Sequence, residues 1–187
     1  LLWLLPPMFA WWANWHIQFV YGLFVLGVFA AEPLLNSLFR HRPRSENALP
    51  PAATWLTLAA SFLATLLNPY GARVYSTVLL YAGQTRIYNQ ISEFLAMNFR
   101  EPQHYVALLL ALGAAAAIGW RRDARPLWLI FLLAASLLAF RSVREIWFLA
   151  VVSVCVIADG WQSPGKAARQ IAAPLRSRAM VGIWVLA

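Results

Sequence analysis

The stretch F-R-S-V-R-E-I-W, Phe140 to Trp147, sets Arg141, Arg144 and Glu145 close together between two apolar runs. Two guanidinium groups at that spacing suit an anion such as a lipid phosphate, because each fork of N–H donors matches a pair of phosphate oxygens. A tight turn with its arginines snorkelling to water accounts for the same residues without a ligand. Arg141 and Glu145 are four apart, a spacing that lets opposite charges pair on one helical face. Three further polar clusters interrupt apolar sequence: W-A-N-W-H with Asn14 and His16, L-N-P-Y-G with Asn68 and Tyr70, and I-S-E-F with Ser92 and Glu93. His16 and His104 fall at the ends of apolar runs, where imidazole serves as an interfacial hydrogen-bonding group, a proton-transfer group or an axial ligand to a tetrapyrrole metal. Glu32, within F-A-A-E-P-L-L, is either a buried carboxylate or the partner of a loop arginine. No Cys/His spacing suggests zinc, and there is no phosphate loop, dinucleotide fingerprint or nucleophile elbow. Spacing alone names no catalytic acid–base pair.

The elements that must position these residues are apolar. Of 187 residues 61% are hydrophobic and only 12% charged, with a mean hydropathy of +0.62. A soluble domain carries about a quarter charged residues, so most of this surface is expected to face lipid or other apolar protein. The runs are continuous rather than alternating, which reads as helix, and roughly 20 helical residues cross a hydrocarbon core. The expected fold is an all-α polytopic transmembrane protein with about six spans, the first and last partial, in one membrane domain over 1–187. Spans are expected at 1–13, 17–39, 52–67, 104–120, 126–140 and 146–158, with a further run begun at 180–187. Pro6-Pro7 is expected to kink the first of these, and Pro33 to loosen the second. The chain starts at Leu1 without a charged leader and stops part-way through an apolar run, so it reads as a segment of a longer polytopic protein. The single cysteine, Cys155, permits no intramolecular disulfide.

Charge orients the spans. Loops 40–51, 121–125 and 159–178 hold ten of the 15 basic residues, and the opposite ends hold Arg73, Arg86, Arg100, Arg141 and Arg144. The positive-inside rule puts the three loops in the cytoplasm of a bacterial inner membrane, with membrane lipids as partners. The net charge of +8 sits in these short clusters, which speaks for a membrane face and against nucleic acid. Trp11, Trp12, Trp15 and Trp147 are then expected at the outer edge, and Trp55, Trp120, Trp128 and Trp161 at the inner. Residues 68–103 form an outer segment, long for a connector, in which Asn68, Pro69 and Gly71 set a bend. From Arg73 onward its spacing suits a helix in the interface plane, continued through Ile87, Ile91, Phe94 and Met97. The small residues of A-L-L-L-A-L-G-A-A-A-A-I-G, Ala107 to Gly119, suit close packing on a neighbouring helix.

W-W-A-N-W-H-I-Q-F-V-Y-G-L (Trp11 to Leu23), L-L-N-P-Y-G-A-R-V-Y (Leu66 to Tyr75) and Q-I-S-E-F-L-A-M-N-F (Gln90 to Phe99) together resemble the later transmembrane half of a family of bacterial polytopic proteins. That family's pattern runs W-A-N-x-H-G-G, L-N-P-Y-G, I-S-E-W, and it is similar to the glycosyltransferase C superfamily. Members of that superfamily move sugars from polyprenyl-phosphate donors at the outer membrane face. The resemblance covers most of residues 1–150 and marks Asn14, His16, Asn68, Pro69, Tyr70, Gly71, Ser92 and Glu93. Ile17 and Gln18 stand where the family has glycines, and Phe94 where it has Trp. The superfamily's acidic catalytic residue, in a first outer loop, has no counterpart here, so the resemblance implies the support and acceptor side of a site. Under this first hypothesis, position and side-chain chemistry point to Glu93 as a polar substrate contact, Arg141 and Arg144 for the lipid phosphate of a polyprenyl-phosphate sugar, and His16 for an orienting hydrogen bond. The alternative is a non-catalytic accessory subunit of a larger membrane complex, energy-transducing or photosynthetic, contacting lipid, pigment or haem through His16 or His104.

Overall fold

The computed structural model describes residues 2–39, 50–83, 90–121 and 124–161, and all regular structure among them is helical. The helices are α1 (Leu5–Trp15), α2 (Phe19–Leu38), α3 (Pro51–Ala64), α4 (Arg73–Gly83), α5 (Pro102–Gly119), α6 (Pro126–Arg141) and α7 (Ile146–Trp161). Short 3₁₀ turns occupy Leu2–Leu4, Ser92–Phe94 and Val143–Glu145. The runs expected at 1–13, 17–39, 52–67, 104–120, 126–140 and 146–158 thus correspond to α1, α2, α3, α5, α6 and α7. The run at 180–187, His41, and the basic residues Arg40, Arg42, Arg44, Arg86, Arg122, Lys166, Arg169, Arg176 and Arg178 lie outside the described residues.

Four of these helices begin with proline in the first turn: α1, α3, α5 and α6. A first-turn N–H has no acceptor within the helix, so proline loses nothing there and its fixed φ favours the helical start. Pro6-Pro7 therefore opens α1 instead of kinking it, contrary to the sequence expectation. Pro33 does lie inside α2, which continues from Phe19 to Leu38 across it.

The helices pack around two apolar clusters. In the first, Phe9 and Ala13 of α1 and Phe19 of α2 are buried, with Leu23, Val74, Tyr75 and Val78 packed against them. α3 lies along both α1 and α2. At Gly22 the α1 side chains come so close that a Cβ would stand 2.7 Å from Trp12 and 2.9 Å from Phe9. In the second cluster Ala107, Ala111 and Ala114 line one stripe of α5 and are buried against α6 and α7, with Leu149, Val152 and Val156. These small residues bring the helix backbones close, as the sequence suggests. α5 and α7 run side by side in the same direction: a Cβ at Gly113 would lie 3.6 Å from Ile157, and one at Gly160 3.7 Å from Ala117.

α2 joins the clusters. Phe24 and Phe29 meet Phe131 of α6 at 6.1 and 5.5 Å between ring centroids, and Tyr21 stacks on Phe148 of α7 at 5.6 Å. Further along, Glu32 accepts Arg125 Nε at 2.8 Å and Nη2 at 2.5 Å. The loop arginine expected for Glu32 is thus Arg125. These contacts fix the ends of the bundle. The start of α2, the end of α6 and the start of α7 share one end. The other holds Glu32 with Arg125, and Arg121 donating to Asp159 at 2.8 Å between α5 and α7.

α2 and α5, of 20 and 18 residues, are long and apolar enough to cross a membrane, and only 17% and 22% of their apolar windows are buried. α3 and α6 are apolar but shorter. Within 68–103, where an interfacial helix is expected, the described residues form α4, while 84–89, with Ile87, lie outside the described residues. From Gln90 the described chain makes one 3₁₀ turn and then runs extended from Leu95, because its N–H and C=O groups bond the α6–α7 connection instead of one another.

Gly22→Val will force Trp12 and Phe9 apart and should lower stability by about 1–3 kcal/mol, read as a fall in melting temperature of the purified protein. Gly27→Ala, where a Cβ meets nothing within 4 Å, should leave it unchanged or raise it by up to about 1 kcal/mol.

Candidate functional site

The residues marked in the sequence gather at two corners of the same end of the bundle. The first corner joins W-A-N-W-H to L-N-P-Y-G. α3 stops at Ala64, and Asn68 organises the turn into α4: its Nδ2 donates to the carbonyls of Thr65 (2.6 Å) and Gly71 (3.2 Å), and its Oδ1 accepts the Tyr70 N–H at 2.8 Å. Gly71 takes φ +53°, a left-handed conformation that glycine adopts without steric cost. Asn14 Nδ2 latches the corner to α1 by donating to Ala10 O at 2.7 Å and Leu67 O at 2.9 Å. Beneath it the Thr65 and Tyr75 hydroxyls meet at 2.6 Å, and the Tyr75 ring packs on Phe19 and Phe62. The donor groups of Asn14 and Asn68, expected to face a substrate, are engaged in holding the chain. Tyr70 is 72% exposed.

His16 breaks the chain between α1 and α2, extended at φ −152°. Its Nδ1 accepts the Gln18 N–H at 3.1 Å. A neutral imidazole that accepts at Nδ1 carries its proton on Nε2, so the exposed nitrogen is a donor.

The second corner is built across a long sequence separation. The segment from Gln90 straps over the α6–α7 connection: Val143 N–H donates to Leu95 O at 2.9 Å, Met97 N–H to Phe140 O at 3.3 Å, and the Ser142 hydroxyl to Glu93 O at 3.2 Å. The Arg144 guanidinium lies 5.3 Å over the Phe94 ring, a cation–π contact. Glu93, Arg141, Arg144 and Glu145 are thereby brought to one place. Arg141 lies in the last turn of α6, where a cation complements the carbonyl end of the helix, and Glu145 precedes the first turn of α7, where an anion complements the amide end.

Two expectations are corrected here. Arg141 and Glu145 do not lie on one helical face, because Ser142 is extended (φ −146°, ψ 121°) and breaks the helix between them. His104 is not an interfacial residue: it is 4% exposed, inside the first turn of α5, with its ring edge-on to Phe99 at 6.3 Å. Glu93 and Arg141 are exposed, Arg144 half-buried, and Glu145 only 9% exposed. Ser142, 4% exposed, is the residue that sequence reasoning missed. Its signal was a small polar residue between two arginines at the junction of two apolar runs. Among the described residues no group of three His, Cys, Asp or Glu side chains converges to hold a metal.

Asn68→Ala removes three hydrogen bonds at the first corner and should cost about 1–3 kcal/mol, read by thermal unfolding. Tyr70→Ala, an exposed neighbour on the same turn, should cost less than about 0.5 kcal/mol.

Comparison with protein families, with characterised proteins and with solved structures finds no match to this chain.

Proposed function

We propose that this chain is a polytopic membrane domain of about six spans, segment of a glycosyltransferase C-like protein, that holds the phosphate head of a lipid-linked sugar at the second corner. The observation that carries the reading is the cross-bracing of that corner. The Glu93 carbonyl on the Ser142 hydroxyl and Phe94 under Arg144 set a guanidinium in place. Arg141 is close by in sequence, and Glu93, an exposed residue, belongs to the same strap, at the end of an apolar bundle. A preset guanidinium loses little freedom on meeting a phosphate, and the charge-assisted bonds it makes are the strong ones. Glu93 supplies an acceptor for a sugar hydroxyl, and His16 a donor at the neighbouring corner.

The membrane part of the reading rests on surface chemistry. Leu109, Leu112, Leu133, Leu137, Val151 and Val154 on α5, α6 and α7 are each more than half exposed, whereas the described ion pairs Glu32–Arg125 and Arg121–Asp159 sit at the end away from both corners. An apolar girdle between polar ends is the surface that a bilayer requires. The end with Arg121 and Arg125 belongs to the loops assigned to the cytoplasm by charge, which puts both corners on the outer face.

Two experiments test this. In detergent-purified protein, a short-chain polyprenyl phosphate should bind Arg144→Ala and Arg141→Ala at least about tenfold more weakly than wild type, the worth of one charge-assisted hydrogen bond. Arg73→Ala, at the other corner, should not change binding, and undiminished binding by both corner variants rules the phosphate role out. In intact cells, with Cys155→Ser as background, an impermeant maleimide should label Asn98→Cys and not Ala124→Cys. The reverse pattern inverts the topology.

A further inference from the structure

Two buried polar atoms at the second corner have no hydrogen-bond partner among the described residues. They are Nδ1 of His104, on α5, and Oε2 of Glu145, at the entry to α7. Both side chains are more than nine-tenths buried, at 4% and 9% exposure. They come from elements far apart in sequence, yet the parallel packing of α5 on α7 brings them to the same level. Gly113 faces Ile157 and Gly160 faces Ala117. That register, carried back toward the start of both helices, sets His104 beside the first turn of α7, which Glu145 immediately precedes. Phe99, whose ring lies against both His104 and Phe140, covers this level from the strap.

Among the described residues Asn36 Oδ1, Trp128 Nε1 and the hydroxyls of Ser61 and Ser153 are likewise buried without a partner, but none of these belongs to a carboxylate or an imidazole. A carboxylate oxygen withdrawn from water without a hydrogen bond is costly, and a buried imidazole nitrogen adds to that cost. A carboxylate oxygen accepts hydrogen bonds, so a donor is the group that would satisfy Glu145 Oε2. The arginines at the corner disfavour a small cation there. A hydroxyl-bearing group meets both requirements.

We propose that His104 and Glu145 are the contacts of a buried hydroxyl-binding site behind the arginine corner, and that it takes the sugar hydroxyls of the lipid-linked ligand. This rests on the phosphate reading above. Arg141 and Arg144 hold the phosphate at the surface, and Glu145 and His104 read what the phosphate carries. The site would therefore discriminate a glycosylated polyprenyl phosphate from the bare one.

The test compares the affinities of the detergent-purified chain for a short-chain polyprenyl phosphate and for its monoglycosylated form, by native mass spectrometry. Wild type should prefer the glycosylated lipid by about tenfold, the worth of one or two hydrogen bonds to a buried polar group. Glu145→Met and His104→Phe should each bring that ratio close to one. Both variants should also melt at or above the wild-type temperature, because an apolar side chain replaces an unsatisfied polar one. Equal wild-type affinity for the two lipids, or a ratio unchanged in both variants, overturns the hydroxyl site and leaves the phosphate reading standing. Binding of neither lipid by wild type removes both. Marked loss of stability in both variants shows that the two groups are partnered in the fold, and overturns the proposal on that ground.

Discussion

α2 packs on α3 along one side and on α6 along another, and the placement of every candidate residue follows from that double contact. Phe24 and Phe29 grip Phe131 near the middle of the helix, Tyr21 stacks on Phe148 toward one end, and Glu32 holds Arg125 toward the other. Three contacts spread along one helix fix rotation and slide together, which a single contact cannot do. Because Tyr21 reaches the start of α7, the corner made by α1, α3 and α4 shares an end with the corner made by the strap and the α6–α7 connection. Were α2 shifted by one turn, Glu32 would lose Arg125 and the aromatic contacts would fall out of step.

The two corners differ in how they treat polar atoms. At the first, the Asn68 amide is used at both its nitrogen and its oxygen, and the Asn14 nitrogen reaches two carbonyls. A polar group satisfied in this way stabilises the chain and has little left to offer a ligand. At the second, hydrogen bonds fix the backbone of the strap, while Nδ1 of His104 and Oε2 of Glu145 are enclosed without a hydrogen-bond partner among the described residues. The same rule governs both: a polar group away from water must find a partner.

The strap reaches its position through unusual local geometry. Phe99 adopts φ +54°, and its neighbour Asn98 accepts the Arg100 N–H at 3.0 Å. A left-handed conformation costs a residue with a side chain roughly 1–2 kcal/mol. Here it turns the chain from the strap into α5 with the Phe99 ring laid against His104, Tyr105 and Phe140. Aromatic packing offsets the backbone strain. The extended Ser142 does comparable work on the other side. It separates Arg141 from Glu145, so the arginine ends α6 at the surface while the carboxylate enters the core at the start of α7.

Much of the helical architecture was legible in the sequence, because helix boundaries are set locally. Continuous apolar runs and the N-P-Y-G bend mark α1, α2, α3, α5, α6 and α7 to within a few residues, and the small residues of Ala107 to Gly119 announce close packing. A charged residue near a span end announces an ion pair, and Glu32 has one. What the sequence could not determine is which polar atoms remain unbonded, since that depends on partners distant in the chain. Asn14 and Asn68 looked like ligand contacts until Leu67, Thr65 and Gly71 were seen to use them. Residues 90–99 looked amphipathic and helical, but their backbone groups found partners at Phe140, Ser142 and Val143. His104 looked interfacial because a helix start is a polar place in one dimension. The packing of α5 on α7 and the ring of Phe99 enclose it, and only the tertiary structure sets it level with Glu145.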